Sequence, residues 1–259
     1  MNYGLYLSTS GLLTNMYRQD VFANNLANVA TTGFKPVVPE IMQRDPERIE
    51  DGFGPDVAHH LLERLGGGVL AAPQRVSFAR GQAEETGRGL DVMLGEEDQF
   101  FAVEDVDAET GEAGFLLTRA GNFSINHLGE LVTVNGRRVL NQGDRPIYLS
   151  ESPNTEINDI GEIVQDGEVV DQIQVMRVTN KSEITMAGGN LMRLQDPEAR
   201  EILAEPYVRS GYLETSGVNM FHALMRVTQA TKSANSNSNM IRYHDMVMDR
   251  AVNTFGRVA

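Results

Sequence analysis

The sequence has no cysteine and no tryptophan, and no apolar run in it approaches the roughly 18 residues that a membrane helix needs. Without cysteine, neither a disulfide framework nor a thiolate metal site is possible. Proline is scarce, and none follows Pro206. Basic residues are outnumbered, 22 to 36, which gives a formal net charge of −14 over 259 residues. The first residues, Met1-Asn2-Tyr3-Gly4-Leu5, lack the basic and long apolar segments of a secretory signal, so a soluble chain without a cleaved leader is expected.

The charge is unevenly spread. Residues 1–35 carry +1 and residues 207–259 carry +3, which leaves −18 for the middle. An acidic centre argues against nucleic acid as a partner, since that binding rests on neutralising phosphates. It also suggests that the ends and the middle face different surroundings.

The residue pattern divides the same way. Residues 8–30 read as a helix: Leu12, Leu13, Met16, Ala23, Leu26, Ala27 and Ala30 recur at three- and four-residue spacings, with Ser8, Thr9 or Ser10 as the cap. Gly33 and Pro36 are placed to end it. Residues 36–75 hold five prolines and the run Gly66-Gly67-Gly68, with a possible short helix at Val57–Leu65. From Val76 to Arg193 the pattern turns to period two. Leu90-Asp91-Val92-Met93-Leu94 alternates, Phe100–Val103 is a short apolar run, and Asn135-Gly136 and Asp166-Gly167 read as two-residue hairpin turns with both positions at positive φ. Gly129-Glu130-Leu131-Val132 and Gly161-Glu162-Ile163-Val164 resemble one another, as shared hairpin chemistry rather than a duplicated unit.

Beyond Thr215-Ser216-Gly217 no breaker interrupts the chain until Gly256. Leu224, Val227, Thr231, Ala234, Ser238, Ile241, Asp245, Met248, Val252 and Phe255 follow an unbroken three-four spacing, the pattern of a coiled-coil seam. Its half Val227, Ala234, Ile241, Met248 and Phe255 is apolar; the other half is polar at its centre. A helix over 218–256 would be about 58 Å long at 1.5 Å per residue and needs partners along its length. The expected fold is α+β: N- and C-terminal helices form a coiled-coil layer, with a mainly β central domain. The expected divisions are 1–35 (N-terminal helix), 36–75 (variable arm), 76–206 (β domain) and 207–259 (C-terminal helix).

Competing chemistry is thin. His59-His60 with Glu63 imitates a metal cluster, but no second histidine group follows it. Gly66-Gly67-Gly68 lacks the spacing and the Lys-Ser/Thr of a phosphate loop. The acids Glu96-Glu97-Asp98 and those from Glu104 to Glu112 lack EF-hand spacing. No catalytic constellation, metal site or cofactor site is expected. A free-standing binding module would explain the β region but not four heptads of helix.

Asn24-Asn25-Leu26-Ala27-Asn28-Val29-Ala30-Thr31-Thr32-Gly33-Phe34-Lys35 is similar to the N-terminal signature of the bacterial flagellar rod and hook family. Gly211-Tyr212-Leu213-Glu214-Thr215-Ser216 resembles the segment before that family's C-terminal helix. Leu90-Asp91-Val92, Phe100–Val103, Thr118-Arg119-Ala120-Gly121-Asn122-Phe123 and Gly129–Val132 resemble its middle, in order. The compact length resembles the proximal and distal rod proteins more than the hook protein. The resemblance implies a non-enzymatic axial subunit that is exported unfolded by the flagellar type III apparatus and polymerises into a hollow driveshaft crossing the periplasm. Implied partners are copies of itself, other rod and hook proteins and the surrounding rings, with no insertion into the membrane. The expected assembly contacts are Leu12, Leu13, Met16, Asn24, Asn25, Leu26, Asn28, Thr32, Gly33 and Phe34, with Leu224, Val227, Ala234, Ile241, Met248, Val252 and Phe255 on the second helix.

Overall fold

A computed structural model describes residues 3–45, 66–105, 114–150, 154–196 and 199–255. The expected helix at Val57–Leu65, the His59-His60-Glu63 group and the side chain of Phe255 lie outside the described residues. The chain forms two compact units: residues 1–26, 37–75 and 220–259 in one, residues 27–36 and 76–219 in the other.

The first unit contains helices α1 (Tyr3–Ala27) and α2 (Met220–Phe255) and the paired strands β1 (Val37–Gln43) and β2 (Val69–Val76). Helix α1 starts at Tyr3 rather than at Ser8. Ser8 and Thr9 are not caps: their hydroxyls donate to the carbonyls of Gly4 (2.8 Å) and Leu5 (2.9 Å), one turn back, a bond that lets a polar residue sit inside a helix.

The second unit is built on a six-stranded antiparallel sheet. Its order is Ile184–Gly188, Leu191–Leu194, Gly114–Thr118, Gln99–Asp105, Val175–Val178 and Arg200–Ile202. The central strand Gln99–Asp105 sends Phe101 and Val103 into one apolar cluster and Phe100 and Ala102 into another. Successive side chains leave a strand on opposite faces. Covering both faces therefore produces the continuous apolar run read at Phe100–Val103. The same reason overrides the alternation expected at Leu90–Leu94, where Val92, Met93 and Leu94 are all buried.

Turns complete the unit. Asp166 (φ 52°) and Gly167 (φ 89°) form the expected two-residue turn between the paired residues Gln165 and Glu168. Asn135-Gly136 does not. Only Gly136 has positive φ, and the Thr133 N–H donates to the Arg137 carbonyl at 2.9 Å, so the loop has three residues with glycine last. The same five-residue bonding recurs at 126–130, 141–145 and 158–162. In the first and last, the asparagine side chain (Asn126, Asn158) accepts two backbone N–H groups and donates to the closing glutamate. That common turn explains the likeness of Gly129–Val132 to Gly161–Val164. Between the turns, a ring of backbone bonds closes: the Leu131 N–H donates to the Ile147 carbonyl, Ile147 to Val139 and Val139 to Leu131, at 2.9–3.2 Å.

Candidate assembly surface and its polar anchors

Helices α1 and α2 run antiparallel in a single register. Gly4 lies beneath the His244 ring and Gly11 beneath the Asn237 amide: a Cβ on either glycine would fall 2.6–2.8 Å from those side chains. Farther along, the Arg226 guanidinium stands 5.7 Å from the centre of the Phe22 ring. From Gly4 to Gly11 to Phe22 the chain advances seven and then eleven residues, and α2 retreats by the same steps. Those intervals are two and three helical turns, so each contact returns to one face.

The face of α2 that packs is Ala223, Val227, Ala230, Ala234, Asn237, Ile241 and His244, all buried or half-buried. It shares Val227, Ala234 and Ile241 with the seam read from the sequence. The other half is shifted by one residue, from Leu224, Thr231, Ser238 and Asp245 to Ala223, Ala230, Asn237 and His244. Glycine and alanine allow the close approach, and bulkier Leu224 is turned out, 54% exposed. Met248 and Val252 are likewise exposed. On α1, Leu12 and Leu26 are half-buried, while Leu13 (62% exposed) and Met16 face outward. An open groove of about 760 Å³ runs beside them, lined by Asn15, Leu224, Met225, Thr228, Lys232 and Asn237 among others. Phe221 and Met225 add to the outward apolar surface.

A second face of α1 holds the strands. Tyr3, Ser10 and Tyr17, seven apart, donate their hydroxyls to the carbonyls of Gly66, Val69 (2.5 Å) and Ala72 (3.1 Å), three apart. Seven helical residues rise about 10.5 Å and three strand residues about 10 Å, so the two periods match. Ser10 also accepts the Val69 N–H at 3.0 Å. Asn25, buried, donates to the Val37 carbonyl at 2.7 Å and accepts its N–H at 2.9 Å. Strand edges otherwise present unpaired backbone groups, and these side chains satisfy them. Burial, and then the Glu40 carboxylate, push the Tyr17 phenol up in pKa, so it remains a donor.

The expected contacts that follow Asn25 divide by environment. Asn24 is exposed. Asn28 and Thr32 are half-buried, and the Thr31 hydroxyl donates to the Asn28 side chain at 3.1 Å. Gly33 and Phe34 are interior residues of the second unit. Gly33 has φ 65°, and a Cβ there would lie 2.4–2.6 Å from the Arg119 and Ala120 backbone, so only glycine fits.

Beside Gly33 lies a cluster that the local patterns did not reveal. Lys35 and Glu214 are each 1% exposed, and their Nζ–Oε1 distance is 2.8 Å. Lys35 also donates to the Ala79 carbonyl at 2.9 Å, and the Gly81 N–H donates to the same Glu214 oxygen at 2.9 Å. The other carboxylate oxygen accepts Arg119 Nε at 2.8 Å; Arg119 Nη2 lies 2.7 Å from it but off the hydrogen-bonding axis. Arg119 Nη1 donates to the carbonyls of Glu96 and Gln99. Burial pushes Glu214 up, but the Arg119 and Lys35 cations outweigh it and hold the carboxyl below its ordinary range. Burial and the nearby Arg119 lower Lys35 against the opposing pull of Glu214. The cluster joins three sequence motifs: Thr32–Lys35, Thr118–Phe123 and Gly211–Ser216.

A helix pair with an outward apolar face and, in the other unit, a β fold tied by a buried ionic cluster define a structural protein of the self-assembling kind. Comparison with known sequences agrees. A family model described as "Flagella basal body rod protein" matches residues 5–35. The chain is 27% identical over 267 residues to the "Flagellar basal-body rod protein FlgG" of Bacillus subtilis (strain 168), covering 96% of this chain and 97% of that one. It is 28% identical to the protein of the same name from Borreliella burgdorferi, covering 98% of both chains. It is 24% identical to the "Flagellar basal-body rod protein FlgF" of Mesorhizobium japonicum, covering 99% of both. Over nearly its whole length the chain is thus similar to flagellar basal-body rod proteins, and its first helix matches their family model.

Proposed function

We propose that this chain is a structural subunit of the flagellar basal-body rod and that it polymerises through the outward faces of α1 and α2. The observation that carries this reading is the unspent apolar surface on a helix pair already closed on itself. Leu13, Phe221, Leu224, Met225 and Val252 are all more than half exposed. Burying such side chains gains about 1.5–3 kcal/mol each, which a copy of the same helix pair would supply. In this reading the polymer is a hollow driveshaft crossing the periplasm. Its other partners are further rod and hook proteins, the rings around it and the type III apparatus that exports it without a cleaved signal. The lengthwise match to proteins named for the rod supports it.

A hook-type axial subunit is the second reading. It is favoured by a 25% match, over 98% of this chain, to the "Flagellar hook-basal body complex protein FlhO" of Bacillus subtilis. The test is Leu13→Asp introduced at the chromosomal locus. It should leave the monomer folded by circular dichroism and yield basal bodies without a complete rod in electron micrographs. Complete rods carrying hooks would refute assembly through this face, and complete rods lacking only the hook would favour the second reading.

A further inference from the structure

Two legs of chain enter and leave the β unit, residues 31–36 and 211–217. Apart from Phe78, none of residues 27–36, 76–85 or 209–219 belongs to either apolar cluster. The legs are held by backbone bonds, by the buried Phe34 side chain, which lies outside both clusters, and by the buried ionic cluster. The Gly33 N–H donates to the Glu214 carbonyl (2.8 Å), the Gly217 N–H to the Phe34 carbonyl (3.0 Å) and the Ser77 N–H to the Pro36 carbonyl (2.8 Å). At their meeting point two buried cations, Lys35 and Arg119, share one carboxylate. Glu97 acts on both through space, and among the described residues only Glu214 touches both.

We propose that Lys35, Arg119 and Glu214 form a latch: the single carboxylate closes both legs onto the β unit, and without its charge the legs release together while the sheet stays folded. The argument is one of separability. A buried ion left without its partner is strongly destabilising. Here that penalty falls on segments outside the apolar clusters, and regions with few buried apolar contacts open at lower cost than a core does. The latch therefore opens locally before the unit unfolds. Its position suits a subunit that must adjust the exit of both ends without dismantling its body.

The experiment is amide hydrogen exchange on full-length protein, wild type against Glu214→Gln and Lys35→Met/Glu214→Gln. In Glu214→Gln the amides of Gly33, Ser77 and Gly217 should exchange about a hundredfold faster or more. Those of Val139 and Ile147, in the sheet's flanking ring, should stay within about threefold of wild type. The double variant removes one stranded cation, so its leg amides should slow again relative to Glu214→Gln. Equal acceleration at legs and ring, failure of Glu214→Gln to fold, or legs that exchange at the wild-type rate would each overturn the latch. So would leg exchange in the double variant faster than in Glu214→Gln.

Discussion

Asn25 meets both polar groups of Val37: its amide nitrogen donates to the carbonyl at 2.7 Å and its oxygen accepts the N–H at 2.9 Å. This asparagine, one of three expected at subunit contacts, spends both its polar groups within its own chain. Alanine in its place gains up to about 0.7 kcal/mol of helix propensity. It also strands a buried donor and acceptor, at about 1–3 kcal/mol each. Asn25→Ala should therefore lower stability in urea titrations, and by more than Asn24→Ala does at its exposed site.

The hydroxyls at Tyr3, Ser10 and Tyr17 make a second, graded prediction. Ser10 both donates to and accepts from Val69, whereas Tyr17 only donates, to Ala72. Ser10→Ala should cost about 1–3 kcal/mol and Tyr17→Phe about 1 kcal/mol. Equal losses from the two variants, measured by chemical denaturation, would contradict the assignment of two bonds to Ser10.

Much of this architecture was legible before the structure. Both helices, the β middle, the Asp166-Gly167 turn and the apolar strand at Phe100–Val103 follow from periodicity and turn chemistry. The shift in half the seam has a specific cause. A pattern reading favours bulk, so it turned Leu224 inward. A close helix contact favours small residues, and Ala223, Ala230, Gly4 and Gly11 look featureless in the sequence. Tyr3, Ser10 and Tyr17 are heptad-spaced, but hydroxyls on a helix read equally well as caps or a wet face. The link from Lys35 to Arg119 to Glu214 spans 179 residues and leaves no local trace.

The glycine contacts predict size compensation. A Cβ at Gly11 would lie 2.8 Å from Asn237 Nδ2, the far end of a flexible side chain. Gly11→Ala gains about 1 kcal/mol of helix propensity but must displace that amide. In the Asn237→Ala background the displacement vanishes, so Gly11→Ala should stabilise there by close to the full propensity gain. In the wild-type background it should stabilise less or destabilise. A double-mutant cycle on melting temperatures measures the difference, and additive effects would place Asn237 elsewhere.

Acid sensitivity should follow Glu214. Its folded pKa lies below the unfolded carboxylate value of about 4.3. Its stabilising contribution is thus fully present above that unfolded value and is lost as pH falls through the lower, folded one. Lys35 acts at the other end of the scale. Its folded pKa is lowered from about 10.4, so the unfolded chain binds more protons between the two values and stability should rise with pH across that window. Denaturation midpoints should therefore fall below about pH 4 in wild type and do so less in Glu214→Gln. An unchanged acid profile in that variant would remove Glu214 from the explanation.

The corrected seam separates two substitutions that the uncorrected one treats alike. Ile241 is half-buried on the face that α2 turns toward its own unit, whereas Met248 is 47% exposed. Ile241→Asp introduces a charge beside apolar neighbours and should cost the isolated chain about 2 kcal/mol or more. Met248→Asp touches a surface position and should change stability by no more than about 0.5 kcal/mol. If the outward face meets a second copy, Met248→Asp places a charge in that contact, so the variant should fold normally and still fail to build a rod. Ile241→Asp should fail earlier, as an unstable monomer. The measurements are urea midpoints of the purified variants together with basal bodies imaged from strains carrying each. Rods of normal length from the Met248 variant would return that face to solvent, and a wild-type midpoint for the Ile241 variant would contradict the antiparallel register set by Gly4, Gly11 and Phe22.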